Sequence, residues 1–235
     1  MALPKLNDSP KYELVIPSSQ QNVRYRPYLV KEEKVLMLAM ESEDQAHILN
    51  TIADTIISCV EEPINRRSLT TFDIEYMFLQ IRSKSVGESV DLKLKCESCD
   101  TPNDISIKLS DINIDIPNVE KRINITDEIA IELAWPVFSD ILDKEIVDST
   151  STTEQTFKLL TKCIKAVETN DERILFAEEV EAEQMRFVES LNNNQFGQIK
   201  EFIDGMPALK HDVNFTCSNC QHNNELKLQG LNDFF

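Results

Sequence analysis

The spacing of apolar residues along the chain alternates between a period of two and a period of about 3.6. Near the start, YELVI at 12–16 and NVRYRPYL at 22–29 flank a polar SSQQ segment, which predicts a β-hairpin. Amphipathic helices are predicted next. They cover residues 30–40, the stretch from Ser42 to Val60, and Thr71 to about Ser83.

The second half of the chain mixes the two periods. EIAIELA at 128–134 predicts a strand, although Ala, Glu and Leu also favour a helix. RILF at 173–176 predicts a short strand. Helices are predicted after the polar residues 148–156 as far as about Val167, over 179–191, and from NNNQ at 192–195 through Ile203 to a C-terminal glycine, Gly205. The chain is therefore expected to fold as an α+β protein.

A repeated cysteine motif predicts two further hairpins. CESC occupies residues 96–99 and CSNC residues 217–220, and aligning them also aligns the neighbouring apolar positions. The aligned residues before the cysteines are Leu92 and Leu94 with Val213 and Phe215, and those after them are Ile105 and Ile107 with Leu226 and Leu228. A period of two on both sides of a polar turn, DTPN or QHNN, indicates hairpins whose first strand ends at the cysteines.

Cys96, Cys99, Cys217 and Cys220 are predicted to bind one structural zinc ion. A single C-x-x-C motif supplies two thiolates, whereas a structural zinc site takes four ligands in a tetrahedron at about 2.3 Å. The two hairpins therefore form a split four-cysteine zinc ribbon. Residue types alone leave the choice between zinc and iron open.

This metal site sets the expected domain organisation. We predict one domain over residues 1–235, a helical domain with short antiparallel β-hairpins. Residues 90–110 and 212–229 are the two halves of the ribbon, and residues 111–211 are a mostly helical insertion between them.

Other roles for the cysteines remain open at this point. A redox C-x-x-C motif usually precedes a helix, and neither motif does. A catalytic zinc often uses histidine and keeps an open position, but the chain has three histidines and no H-E-x-x-H motif. His222 could replace a cysteine or support one, although a surface position is expected. Cys59 and Cys163 fall among apolar residues of helices, where we expect them to be buried.

Composition narrows the range of functions. The 235 residues are 41% hydrophobic and 28% charged, which suits a globular fold, and no leader or membrane-spanning segment is indicated, so we expect a cytoplasmic protein. Thiols in that compartment stay reduced. The net charge of −17 disfavours nucleic-acid binding, although a local basic patch around a few arginines and lysines is conceivable.

No catalytic motif is found in the sequence. Only four glycines are present, so a glycine-rich phosphate loop is missing, and there is no G-x-S-x-G motif. Acidic pairs such as Glu61 with Glu62 are typical of solvated helix faces. We therefore expect that the protein is not an enzyme.

Several segments together resemble the baseplate hub proteins of T-even-type contractile-tailed bacteriophages. The resemblance covers nearly the whole chain and is carried by VRYRPYLVKEEKVLMLAMES at 23–42, FDIEYMFLQIRSKSVGE at 72–88, the paired cysteine hairpins, and NNNQFGQIKEFIDGMPALKHDVNFTCSNC at 192–220. It implies a role in assembly of the baseplate hub, as a virion component or as an assembly chaperone that is later lost. It implies no catalytic residues.

The resemblance also implies where the protein works and what it binds. Its expected partners are other baseplate and tail proteins, and an oligomer within the hub is compatible with this role. The net charge and the lack of a long apolar run argue against nucleic acid and membrane as partners. The expected locations are the bacterial host cytoplasm during assembly and the tail baseplate of the virion. Positive charges are scarce in so acidic a chain, so the candidate partner-binding residues are Arg26, Lys31, Arg82 and Lys84. The alternative is that these side chains form ion pairs with neighbouring carboxylates of the same chain. A zinc-ribbon nucleic-acid-binding protein and a zinc-dependent hydrolase are the remaining alternatives.

Overall fold

The computed structural model describes residues 9–42, 44–114, 116–117, 119–143, 146 and 151–234. The helices of this part are α1 (Val30–Glu41), α2 (Gln45–Cys59), α3 (Thr71–Ser85), α4 (Phe138–Ile141), α5 (Thr152–Cys163), α6 (Glu181–Glu189) and α7 (Asn193–Asp204). The strands are β1 (Tyr12–Val15), β2 (Asn22–Tyr25), β3 (Ser89–Lys95), β4 (Pro102–Lys108), β5 (Asn113–Ile114), β6 (Arg122–Asn124), β7 (Ile129–Leu133), β8 (Ile164–Thr169), β9 (Arg173–Leu175), β10 (Leu209–Thr216) and β11 (Asn223–Gln229). Helices with small antiparallel sheets confirm the mixed fold class.

The chain divides into two compact units. The first contains residues 1–66, 72–115 and 208–235, and the second contains residues 67–71 and 116–207. The single domain expected over residues 1–235 remains a prediction. The segment predicted as an insertion, 111–211, also contributes to the first unit, because β5 pairs with the start of β10 through Leu209 and Ile114.

The first unit combines three hairpins with helices α1 to α3. Each hairpin is antiparallel: β1 with β2, β3 with β4, and β10 with β11. Helix α3 provides much of the core, since Phe72, Ile74 and Met77 are at most 1% exposed. Burial of such side chains is the main force that stabilises the unit. The predicted hairpins and helices of this region are confirmed within a few residues.

A buried acidic side chain fixes the first hairpin to helix α3. Asp73 is fully buried, and its carboxylate accepts hydrogen bonds from the Ser18 backbone N–H at 2.8 Å and from the Ser18 hydroxyl at 2.6 Å. These bonds offset the cost of removing the carboxylate from water. The turn between β1 and β2 is therefore held in one position on α3.

The second unit is built on a four-stranded antiparallel sheet. Its strand order is β6-β7-β8-β9, and helices α4 to α7 belong to the same unit. The predicted strands at 128–134 and 173–176 correspond to β7 and β9, but the helix predicted to reach about Val167 ends at Cys163, where β8 begins. Pairing of β8 with both β7 and β9 satisfies its backbone groups in the sheet, which explains the difference.

Two further features concern the described residues. Phe234 is fully buried, so its ring packs in the protein core. Among the helices that the structure describes, none is both long enough and apolar enough to cross a membrane.

Candidate metal centre

The four predicted ligands lie together in the first unit. The Sγ atoms of Cys96, Cys99, Cys217 and Cys220 are all within 4.8 Å of one another. The Cys96 and Cys220 sulfurs are 3.6 Å apart, and the Cys99 and Cys217 sulfurs are 3.7 Å apart. Each of these short distances joins one hairpin to the other. The prediction that sequence positions about 120 residues apart meet at one site is confirmed.

These distances suit metal coordination and exclude disulfides. Four sulfurs at about 2.3 Å from a central ion are about 3.8 Å from one another in a tetrahedron, close to the two short distances observed. A disulfide would require about 2.05 Å between sulfurs. All four cysteines have free thiols. The cluster can therefore hold a metal ion with soft, thiolate-binding chemistry.

Both cysteine turns have the same backbone geometry. In the first, the Cys96 N–H donates to the Thr101 carbonyl at 3.0 Å and the Asp100 N–H donates to the Cys96 carbonyl at 2.9 Å. The second repeats this with Cys217, His222 and Gln221 at 2.8 and 3.1 Å. Asp100 and Gln221 both adopt a left-handed conformation, with φ of 55° and 61°. These turns direct both thiols of each motif to the same side.

A third copy of this turn occurs without cysteines. Between β1 and β2, the Ile16 N–H donates to the Gln21 carbonyl at 2.9 Å, and the Gln20 N–H donates to the Ile16 carbonyl at 2.8 Å. Gln20 has a φ of 57°. Ile16 and Ser19 stand where the other turns have their two cysteines. Because this copy of the turn forms without thiols, the turn geometry itself requires no metal. The cysteine side chains of the other two copies are therefore not needed to form the turn and can serve as ligands.

Two buried asparagines link the cysteine turns to each other. Asn224 Oδ1 accepts from the Glu97 N–H, and Asn103 Oδ1 accepts from the Ser218 N–H, both at 2.9 Å. Asn103 is 7% exposed and Asn224 is 1% exposed. Each asparagine thus belongs to one hairpin and binds the backbone of the other, with approximate two-fold symmetry.

The sequence predictions do not include these asparagines among the functional residues. The signal was present in the repeat, since each asparagine follows the first cysteine of its motif by seven positions. In the hairpin without cysteines, Val23 occupies the equivalent position. The asparagines therefore accompany the thiols, and we expect them to position the two halves of the site.

Hydrogen bonding divides the thiols into more acidic and less acidic groups. Bonding with the Thr101 side chain and backbone lowers the pKa of Cys99 to about 6. Backbone N–H groups at Cys220 and Asn219 lower the pKa of Cys217. For Cys220, a backbone bond at His222 lowers the pKa, but the neighbouring Cys99 and the other thiols outweigh it and raise the value to about 12. A bound cation would stabilise all four as thiolates.

The remaining cysteines and histidines lie outside this cluster. Cys59 and Cys163 are at most 1% exposed, as predicted, and burial raises the pKa of Cys163 to about 12. His222 is exposed and contributes its backbone carbonyl to the second turn. Within the described part of the chain, no other group of three or more His, Cys, Asp or Glu side chains is placed to bind a metal.

The candidate partner-binding residues all lie in the first unit, and three of them form ion pairs. Arg26 is 2.9 Å and Lys31 is 3.2 Å from the largely buried carboxylate of Glu32, and Lys84 is 2.6 Å from Glu88. Arg82 is half-buried in helix α3, where burial lowers its pKa. Binding of a partner by these residues remains a prediction.

Comparison with known proteins identifies the family. A family model described as "T4 bacteriophage base plate protein" matches residues 9–235. No curated protein and no solved structure matches the chain. The match includes both cysteine hairpins and the whole of the second unit, so it is not limited to the candidate metal centre. The chain therefore belongs to the T4 bacteriophage base plate protein family.

Proposed function

We propose that this protein works in the baseplate hub, where it associates with other phage proteins during tail assembly and catalyses no reaction. The family match over residues 9–235 is the observation that carries this proposal. The net charge of −17 supports association with cationic partner surfaces, because complementary charge steers encounter and suppresses wrong pairings. The four-cysteine centre then has a structural role.

The metal in this proposal is zinc, bound by Cys96, Cys99, Cys217 and Cys220. Four thiolates complete a tetrahedron and leave no position for a reactive water, which is the arrangement of structural zinc sites. The ion would add to the asparagine hydrogen bonds a further link between two hairpins that residues 109–208 separate along the chain. Structural zinc contributes about 10–16 kcal/mol of apparent binding free energy in small model domains, so its loss should be costly.

Metal analysis of purified variants tests the zinc assignment. We expect one zinc per chain in the original protein and loss of stoichiometric zinc, with a lower melting temperature, in Cys96→Ser and Cys217→Ser. Cys59→Ala is the matched control, since it removes a buried cysteine from outside the cluster and should keep the zinc. Iron in place of zinc, or full metal content in both serine variants, would contradict the assignment.

Complementation tests the hub role. A phage with an early stop codon in this gene should fail to form hub complexes, and expression of the original chain should restore them, as judged by sedimentation and mass spectrometry of the complexes. Cys59→Ala should also restore them, whereas Cys96→Ser should not. Normal hubs without the protein would refute the proposal.

The protein either remains in the particle or acts as an assembly chaperone that leaves it. Mass spectrometry of purified virions beside hub complexes from infected cells separates these two forms of the proposal. We expect the protein in both samples, since the family is described as a base plate protein. Its presence only in the intermediates would assign it to the chaperone class.

A further inference from the structure

The first unit contains a groove of about 430 Å³ with an apolar floor. Leu36, Phe78, Val90 and Phe234 line it, and each of these side chains is at most 9% exposed. The groove lies beside helix α1, and strand β3 contributes residues 90–92 to its lining. It is separate from the metal centre, since none of the four cysteines lines it.

Large apolar side chains at the rim of this groove are exposed to solvent. Met37 is 59% exposed, Met40 is 51% exposed, and Val86 is 57% exposed. Isolated apolar residues on a surface are ordinary, but a contiguous set that borders an apolar groove is typical of an interaction site. Methionine side chains are flexible and adapt to the shape of a bound partner.

The spacing of residues on α1 indicates the form of this partner. Val30, Glu33, Met37 and Met40 are separated by three, four and three positions, the spacing of one seam in a pair of packed helices. Helix α1 has 12 residues and is therefore about 18 Å long. A helix of three to four turns laid along this seam would cover the methionines with its own apolar face.

Charge indicates which helix fits. The groove is lined by two carboxylates, Glu33 from α1 and Asp91 from β3, together with the half-buried guanidinium of Arg82. Glu33 falls within the apolar seam, so a second copy of α1 packed in parallel would bring two Glu33 side chains together. The net charge of −17 also opposes self-association. A lysine or arginine at the edge of the partner's apolar face would instead pair with Glu33.

We propose that this groove binds an amphipathic helix from a cationic baseplate protein. The helix presents apolar residues at i, i+3 or i+4, and i+7, with flanking lysine or arginine side chains directed at Glu33 and Asp91. The proposal deepens the hub role and rests on it for the class of partner, whereas the groove itself rests on the geometry of the first unit.

Binding of a designed peptide tests the groove directly. The probe is a fluorescent 18-residue helical peptide with leucine along one face and flanking lysines, titrated with the zinc-loaded full chain and followed by anisotropy. We expect a Kd on the order of 10 μM. The same peptide with glutamate in place of lysine should bind at least about tenfold more weakly.

Two double variants separate groove binding from general attraction to an acidic protein. Met37→Glu with Met40→Glu should weaken binding of the lysine peptide at least about tenfold, although it makes the protein more acidic. Leu175→Glu with Val180→Glu adds the same charge at exposed apolar sites of the second unit and should leave binding unchanged. Equal binding by both variants would overturn the proposal.

A charge exchange tests the role of Glu33. Glu33→Lys should weaken binding of the lysine peptide and strengthen binding of the glutamate peptide, each by about threefold to tenfold. Circular dichroism of the variant confirms that it is folded. If the relative affinity for the two peptides is the same in Glu33→Lys as in the original protein, Glu33 does not face the partner. That result would overturn the charge assignment.

Other occupants of the groove give distinct results. If a second copy fills it, sedimentation will show a dimer that Met37→Glu with Met40→Glu dissociates. If residues 1–8 fill it, their deletion will raise peptide affinity at least about tenfold. Either result would replace the proposed partner. Failure of the peptide to bind, in a protein that still supports hub assembly, would remove this proposal and leave the hub role intact.

Discussion

Asn103 and Asn224 show how a few residues can organise a site that they do not ligate. Each amide oxygen accepts a backbone N–H from the opposite cysteine turn at 2.9 Å. Such buried hydrogen bonds hold the two cysteine turns together, so less ordering would be required for the four thiols to bind an ion. We therefore expect the asparagines to influence metal affinity through the geometry of the site.

Replacement of one asparagine should weaken metal binding without removing it. We expect Asn103→Ala to reduce zinc affinity by about 10- to 100-fold in a competition titration with a chelating dye, while one zinc per chain still binds at saturation. Asn214→Ala, at an exposed position of β10, is the matched control and should keep the original affinity. Equal affinities of the two variants would show that the asparagine does not position the site.

Glu32 combines a cap of helix α1 with a largely buried ion pair. Its carboxylate accepts from the Leu29 N–H at 2.8 Å and from Arg26 at 2.9 Å. Burial by itself raises the pKa of Glu32, but the bonds from Arg26, Leu29 and Lys31 outweigh it and place the pKa below its ordinary value of 4.5. The ionised form is therefore favoured in the folded state, so this stabilisation is present above pH 4.5 and is lost as pH falls through the lowered pKa.

Glu32→Gln should lower the free energy of unfolding by about 2 kcal/mol at pH 7, because Arg26 loses a charged partner in a largely buried place. Urea unfolding measures the change. The difference from the original protein should shrink below about pH 4, where the carboxylate gains a proton in either state. Glu41→Gln, at the exposed end of α1, should change stability by less than about 0.5 kcal/mol. A constant difference across this pH range would contradict the assignment.

At the scale of elements, the same turn geometry occurs three times and serves two purposes. The turn at residues 16–21 joins two strands and packs on α3 through Asp73, whereas the turns after Cys96 and Cys217 present thiols. In all three, one residue adopts a left-handed conformation, which costs about 1–2 kcal/mol in residues other than glycine. The backbone template is the same, and the side chains placed on it determine the role.

Substitutions at the left-handed position should separate these roles. Valine is strained there, so Gln20→Val and Gln221→Val should each lower stability by about 1–2 kcal/mol in urea unfolding. Only Gln221→Val should also reduce zinc affinity, and Gln221→Gly should restore it, because glycine adopts this conformation without strain. Equal zinc affinity in Gln20→Val and Gln221→Val would mean that the metal tolerates a distorted turn.

The elements that sequence analysis predicted well are those with a strong local pattern. Helices α1 to α3 and the cysteine hairpins carry clear apolar periodicity or a repeat that can be aligned. The sequence does not predict strand β8, because LLTKCIKAV fits both a helical and a strand period. Pairing with β7 and β9 makes its second half a strand. The two-residue strand β5 depends on distant contact with β10. Gly205 ends α7 as predicted, but with an ordinary φ of −80°.

At the scale of the molecule, the candidate metal centre belongs to only one of the two compact units. All four cysteines lie within the residues of the first unit, and the sheet of strands β6 to β9 lies within the second. Ligand binding stabilises the structure that contains the site. The consequences of metal removal should therefore be local to the first unit.

Hydrogen exchange after treatment with a strong chelator tests this expectation. We expect backbone amides of β3, β4, β10 and β11 to exchange at least about tenfold faster, while those of β7 and β8 keep their original rates. Addition of zinc after removal of the chelator should restore protection. Faster exchange throughout the chain would show that the two units unfold together.

The order of the cysteines along the chain has a consequence for biosynthesis. Cys96 and Cys99 leave the ribosome long before Cys217 and Cys220, so a nascent chain carries only a bidentate half-site until its second motif has been translated. In the proposed zinc-bound protein, full coordination can therefore form only after Cys220 has been translated, and a chain arrested before residue 217 would offer the ion only two of its four ligands.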